Sequence, residues 1–248
     1  MRTCLIVQPI HESGVKKLEA ANIRPKWATA QEMAVVAAEI ADADAVITRD
    51  AGLDRCAIDA APRLGVIANH GVGTNKIDVA RASARGIPVV NTPTANAQSV
   101  AEHAVGLMLA LARRTKDADV AARTGDWRFK YSGGMSEVSG KTLGLVGFGS
   151  IARRVAAIAI AGFQMRVVVF SPRANDEVIH AAGVERLADL DALLAVSDFV
   201  SLHRPSRADT LNTIGAASLR AMKPTAFLIN TARGSLIDED ALATALDM

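Results

Sequence analysis

One stretch constrains this chain more than any other. The apolar run Leu143-Gly144-Leu145-Val146 ends in Gly147-Phe148-Gly149-Ser150-Ile151-Ala152 and gives way to an amphipathic pattern reaching Ala161. A strand, a glycine turn and a helix in that order form the phosphate-binding end of a βαβ unit. Gly147 permits the tight turn, Gly149 lets the backbone approach a pyrophosphate, and small Ala152 lets the helix pack on the strand. The helix N-terminus, at Ser150 and Ile151, adds N–H groups suited to phosphate oxygens. A second strand is expected over residues 166–170, which supplies the context that a lone glycine motif lacks.

At the end of that second strand, a chain that binds NAD usually carries Asp or Glu for the ribose hydroxyls. Here Phe170 is followed by Ser171-Pro172-Arg173. The neutral Ser171 removes repulsion toward a 2′-phosphate, and Arg173 offers it a bidentate partner. NADP is therefore expected to be favoured over NAD.

The 248 residues leave room for two modest domains. Apolar, β-branched runs at 3–8, 45–48, 64–68 and 87–90 alternate with helical stretches, and a second series runs through 142–146, 166–170, 199–202 and 226–230. Such nearly continuous apolar strands suit parallel sheets buried on both faces. The expected fold class is α/β with two doubly wound parallel-sheet domains, a flavodoxin-like one over 1–95 and a Rossmann-type one over 96–248. Ligands of such sheets bind outside the carboxyl ends of the strands, so the cleft between the domains is the expected site.

Asn91-Thr92-Pro93-Thr94 breaks the first unit, and Ser99-Val100-Ala101-Glu102 has the spacing of a capping box opening a long apolar helix. Beyond it, residues 123–140 carry Trp127, Phe129 and Tyr131, either as a loop packed on its own domain or as an intersubunit arm. The apolar helix and this arm together lead us to expect a homodimer.

Composition excludes several classes. Half of the residues are hydrophobic and 22% charged, away from the signature of disorder. Lys plus Arg number 28 against 26 Asp plus Glu, a net +2 without a basic run, so no nucleic-acid partner is expected. Apolar stretches such as 104–112 fall short of the roughly 20 residues that span a bilayer, and the N-terminus lacks the pattern of a signal peptide. No membrane partner and a cytoplasmic location are expected. Cys4 and Cys56 make no metal or redox spacing and are expected to be buried thiols.

Four motifs in order carry a family likeness: His70-Gly71-Val72-Gly73-Thr74-Asn75-Lys76-Ile77-Asp78, then Asn91-Thr92-Pro93 through Asn96 to Ser99-Val100-Ala101-Glu102-His103, the glycine turn, and Asn230-Thr231-Ala232-Arg233-Gly234. With these the chain resembles the D-isomer-specific 2-hydroxyacid dehydrogenases, which include phosphoglycerate dehydrogenases and glyoxylate/hydroxypyruvate reductases. The resemblance implies hydride transfer between NAD(P) and C2 of a small 2-hydroxy or 2-keto acid held between a substrate domain and a cofactor domain. It makes Arg233 the catalytic arginine, which grips the carboxylate and keto oxygen and polarises the carbonyl. The N–H groups of Val72 and Gly73 would bind the substrate carboxylate, and Asn96 and Ser99 would line the substrate and nicotinamide side. His203 and Pro205 would flank the adenosine ribose, Thr210 would lie near the phosphates, and Thr231 and Ala232 would contact the cofactor. Lys76 either favours a phosphorylated acid or faces solvent. The capping box accounts for Glu102, and His103 inside an apolar helix is expected in the core.

The family's chemistry also needs an acid/base His paired with a carboxylate, on segments that follow the helix beginning at Asp238. The sequence runs to Met248, so that pair is expected to be missing, the cofactor domain to be incomplete with an open sheet edge, and turnover to be nearly absent. Of the five histidines only His70 is placed to substitute, and weakly. The alternative function is a catalytically impaired dinucleotide-binding module or sensor derived from the same family.

Overall fold

A computed structural model describes residues 1–247, and the chain divides into two compact units, Met1–Asn96 and Ala97–Met248. The first unit builds a five-stranded parallel sheet from β1 (Arg2–Ile6), β2 (Ile23–Trp27), β3 (Ala45–Thr48), β4 (Val66–Asn69) and β5 (Val89–Val90). Its order, β2-β1-β3-β4-β5, is the flavodoxin-like one. Cys4, Leu5 and Ile6 are all buried, as a strand covered on both faces requires. Leu5, Val46 and Ile67 share a core with Val36, Ile40 and Ile58 of the flanking helices.

The second unit uses β6 (Thr142–Val146), β7 (Arg166–Phe170), β8 (Glu185–Arg186), β9 (Phe199–Leu202) and β10 (Phe227–Asn230), all parallel, in the order β10-β9-β6-β7-β8. Counted within the unit, this is the Rossmann order through its fifth strand. Alternation along β6 sends Leu143 and Leu145 to one face, against Ala101, Ala104 and Met108 of helix Ala97–Ala112 and Val155 and Ala156 of helix Ser150–Phe163. Val146 points to the other face, with Leu193, Leu194, Val200 and Leu202. Phe199 and Phe227 stack with ring centroids 5.2 Å apart. Strand β10 forms one edge of this sheet.

Helix Leu190–Val196 lies so close to β6 that residue 144 has no room for a side chain. A Cβ there would meet the Ser197 Oγ at 2.3 Å and the Leu193 Cδ2 at 2.6 Å.

Several expectations need correction. No strand is expected over residues 23–27, because Arg24, Pro25 and Lys26 interrupt the apolar pattern, yet β2 forms there. As an edge strand it tolerates the proline and turns its charges outward, with the Lys26 Nζ donating to the Asp42 Oδ1 at 2.6 Å. Strand β8 is a two-residue edge, too short to leave a pattern. Strand β1 ends at Ile6 rather than residue 8, and β5 holds only Val89 and Val90. The helix expected to start at Ser99 starts at Ala97, so Ser99 and Glu102 lie inside it and no capping box forms; the Glu102 Oε1 instead accepts from the Gln98 Nε2 at 2.8 Å. His103 is on the exposed face of that helix rather than in the core. Cys4 is buried, and burial pushes its thiol up to about 11, but Cys56 is exposed on helix Arg55–Asp59, whose other face buries Ala57 and Ile58. Among the described residues, no helix is long and apolar enough to cross a membrane.

The two kinds of glycine give a paired expectation. Gly144→Ala forces the Leu190–Val196 helix off the sheet and should destabilise by about 1–3 kcal/mol. Gly106→Ala, within helix Ala97–Ala112 and with nothing within 4 Å of its Cβ, should be neutral or gain up to about 1 kcal/mol. Urea unfolding of both variants checks this, and an unshifted Gly144→Ala midpoint would contradict the packing described.

Candidate active site

The glycine turn is tied into three strand ends. The Gly147 N–H donates to the Phe170 carbonyl at 2.9 Å, and the His203 N–H donates to the Val146 carbonyl at 2.8 Å. Gly147 has φ +102°, and a Cβ on it would lie 2.7 Å from the His203 carbonyl oxygen, so only glycine fits. At Gly149 the situation is reversed: the backbone is extended and nothing stands within 4 Å of a Cβ. Helix Ser150–Phe163 begins there without a side-chain cap, which leaves the first N–H groups, including those of Ser150 and Ile151, without an intrahelical partner. The open space over Gly149 and the uncapped helix end fit a dinucleotide pyrophosphate, which backbone N–H groups would hold.

At the end of β7, Arg186 fixes the next loop. Its Nη1 donates to the Ser171 carbonyl at 2.7 Å, its Nη2 to the Ala174 carbonyl, and its Nε pairs with Asp176. Ser171 is half-buried and Pro172 exposed, while the exposed Arg173 reaches the Asp209 carboxylate at 3.0 Å. Arg204 folds back over the turn, with its guanidinium 6.0 Å from the centre of the Phe170 ring. Neither Arg186 nor Arg204 belongs to a motif in the sequence. Arg204 stands between His203 and Pro205, and only the folded loop brings it to Phe170.

The His203 Nε2 is 2.9 Å from the Ser201 Oγ, and burial pushes the imidazole down to about 4, so it is neutral at physiological pH. Thr210 is buried, and its hydroxyl is occupied within the loop: it accepts from the Arg207 N–H at 2.7 Å and donates toward the Pro205 carbonyl at 2.8 Å. Its visible task is to shape residues 205–210, with Pro205 exposed at their start.

After β10, the Asn230 side chain closes a turn: its Oδ1 accepts from the Ala232 N–H at 3.0 Å, and its Nδ2 donates to the Arg233 carbonyl at 2.8 Å. The Arg233 side chain is exposed and donates to the Ala232 carbonyl at 2.7 Å. No carboxylate among the described residues pairs with it, so its charge is available to an incoming acid. The Thr231 Oγ1 is buried with no partner among the described residues.

In the first unit, the loop after β4 is held by two carboxamides. The Asn69 Nδ2 donates to the Gly73 carbonyl and the Asn91 Nδ2 to the Val72 carbonyl, both at 2.7 Å. With the carbonyls tied back, the Val72 and Gly73 N–H groups are left without a partner among the described residues. This is the donor pattern of an anion nest. Asn69 is almost fully buried, and its Oδ1 is unpartnered. Lys76 is exposed, as are His70, Asn96 and Ser99, with Asn96 the last residue of the first unit. Two histidine side chains make hydrogen bonds, His11 with Ser13 and His203 with Ser201, and among the described residues no histidine is bonded to a carboxylate. No group of metal-ligating side chains occurs among those residues either.

A model of the family described as "D-isomer specific 2-hydroxyacid dehydrogenase, NAD binding domain" matches residues 105–248. The chain is 38% identical to the D-3-phosphoglycerate dehydrogenase of Mycobacterium leprae, over 98% of this chain and 45% of that protein. It is thus similar to a little under half the length of that relative. It is 37% identical to the glyoxylate reductase of Thermococcus litoralis, over 97% of this chain and 75% of that protein. Among solved structures, the D-lactate dehydrogenase of Aquifex aeolicus complexed with NAD and lactic acid matches with a TM-score of 0.87 and 27% identity, over 99% of this chain and 73% of that one.

The depressed His203 imidazole has a measurable consequence. Its folded value of about 4 lies below the 6.5 of an unperturbed histidine, so the unfolded chain takes up the proton first as pH falls. The stabilisation is complete above pH about 6.5 and is lost as pH drops toward 4, by at most about 3 kcal/mol. Urea unfolding at pH 7 and pH 4.5 should show a smaller acid loss for His203→Gln than for the parent; equal losses would contradict the enclosed, neutral ring.

Proposed function

The chain belongs to the D-isomer specific 2-hydroxyacid dehydrogenase family, and from that premise we propose that it binds NADP in preference to NAD and interconverts a small D-2-hydroxy acid with its 2-keto acid. Glyoxylate, hydroxypyruvate and the 3-phosphoglycerate type are the substrate classes this reading includes. Residues 1–95 act as the substrate domain and 96–248 as the cofactor domain. The observation that carries the reading is the pairing of a phosphate-shaped glycine turn with an arginine, Arg233, whose guanidinium has no carboxylate partner among the described residues.

The nicotinamide, when bound, supplies or accepts the hydride at C2 of the acid. Arg233 binds the carboxylate and the keto oxygen, and its charge stabilises negative charge developing on that oxygen. The Val72 and Gly73 N–H groups hold the carboxylate, while Asn69 and Asn91 keep the loop in its donor-outward form. Thr231 and Ala232 contact the cofactor, on the turn that Asn230 closes and that carries Arg233. Asn96 and Ser99 line the substrate and nicotinamide side, His203 and Pro205 flank the adenosine ribose, and Thr210 lies near the phosphates. No described residue is assigned the proton transfer at the C2 oxygen. Self-association as a homodimer is supported by the outward aromatic side chains of Trp127 and Tyr131, 76% and 78% exposed. The two unpaired cysteines suit the cytoplasm.

Two measurements test this reading. Nicotinamide fluorescence titrations should give a Kd for NADPH at least about tenfold below that for NADH, through the charge-assisted contacts of Arg173; tighter NADH binding refutes the preference. With glyoxylate and hydroxypyruvate as substrates, Arg233→Ala should lower kcat/KM by about 10²-fold or more. An unchanged value refutes the catalytic role, and NADPH binding by a parent enzyme that reduces no keto acid would favour a sensor.

A further inference from the structure

We propose that Arg204 is a second guanidinium of the 2′-phosphate site and that Asp209 is a built-in competitor that sets how strongly the phosphate is preferred. The inference rests on the NADP reading of Ser171 and Arg173 and extends it to a loop that reading does not use.

The geometry converges on the end of β7. There Arg186 pins both carbonyls that bracket Pro172 and Arg173, so the loop is held rather than free. In a Rossmann unit the adenosine ribose lies against this strand end, beside the first glycine of the turn. Arg204 reaches the same place from the end of β9. Its Cγ stands 3.0 Å from where a Gly147 Cβ would be, and its guanidinium is 6.0 Å from the Phe170 ring centre. The stem is thus seated on the turn and the head is stacked at the residue preceding Ser171. Among the described residues, no carboxylate pairs with Arg204, whereas Arg173 is paired with Asp209 at 3.0 Å.

The charges then sort themselves. Two planar guanidinium groups at one strand end offer fork-shaped donors that match phosphate oxygens. The Arg173–Asp209 pair is well solvated, with side chains 67% and 50% exposed, so it is weak enough for a phosphate to displace. Displacement leaves the Asp209 carboxylate close to a dianion, which costs affinity. Asp209 therefore orients Arg173 in the free protein and moderates the grip on the 2′-phosphate. Arg204, with no such competitor, supplies attraction that does not have to be released first.

Adenosine 2′,5′-bisphosphate and AMP differ only by the 2′-phosphate, so the ratio of their Kd values isolates it. Calorimetric titrations at one fixed ionic strength would compare the parent, Arg204→Gln, which keeps a stem over Gly147, and Asp209→Asn. The parent should bind the bisphosphate at least about tenfold more tightly than AMP. Arg204→Gln should cut that ratio by about tenfold, the scale of a lost charge-assisted contact, and Asp209→Asn should raise it several-fold. A parent that prefers AMP, or binds neither nucleotide, refutes the cofactor reading and this inference with it. A parent that prefers the bisphosphate while Arg204→Gln keeps the same ratio overturns the role of Arg204 and leaves the cofactor reading standing. An unchanged or lowered ratio in Asp209→Asn overturns the competitor role.

Discussion

The His203 carbonyl occupies the space that a side chain at residue 147 would need, and the second unit is organised around that contact. It closes the end of β9 onto the turn after β6, with the Val146 carbonyl and Phe170 carbonyl accepting the backbone bonds that lock the arrangement. The helix that follows starts at Gly149 without a side-chain cap, and its free N–H groups are the feature on which the proposed pyrophosphate site rests. The same closure delivers Arg204 to Phe170, so the polar rim of the site is a by-product of the packing beneath it.

Much of this was legible in the residue order. The central strands β1, β3, β4, β6, β7 and β9 are apolar on both faces, and a run such as Val167-Val168-Val169 has few other homes than a buried parallel sheet. The alternation of such runs with helices implies two parallel sheets, whereas the order of strands within each is set by tertiary packing. What stayed hidden has two physical causes. Edge strands are relieved of burial on one side, so β2 can carry Arg24, Pro25 and Lys26 and β8 can shrink to Glu185 and Arg186. The other cause is that side-chain direction is set by tertiary contact. The spacing of Ser99 and Glu102 suits a cap, but the chain enters the helix two residues earlier, and the same exposed stripe takes His103 out of the core.

The candidate site divides in the same way. The glycines, Arg233 and the Val72-Gly73 loop stand out as motifs because their tasks belong to the backbone or to a single charge. The groups that hold them in place are scattered: Asn69 and Asn91 tie back two carbonyls, Asn230 closes the arginine turn, and Arg186 fixes the loop of Arg173. A carboxamide or guanidinium donating to a distant carbonyl has no local signature. The partners of individual charges also differ. The Asp198 carboxylate is consumed by the Thr142 N–H and the Lys223 ammonium, both at 2.9 Å, whereas Arg233 and Arg204 have no carboxylate partner among the described residues.

The proposed pyrophosphate cradle at Gly149 is the point where structure and chemistry separate most cleanly. Because a Cβ there has no packing neighbour within 4 Å among the described residues, Gly149→Ala should leave the urea midpoint unchanged while intruding on the space proposed for the phosphates. NADPH titration of that variant should show a Kd raised about tenfold or more, the loss of roughly one charge-assisted hydrogen bond. NADPH binding at the parent's affinity, in an equally stable Gly149→Ala chain, would contradict the account.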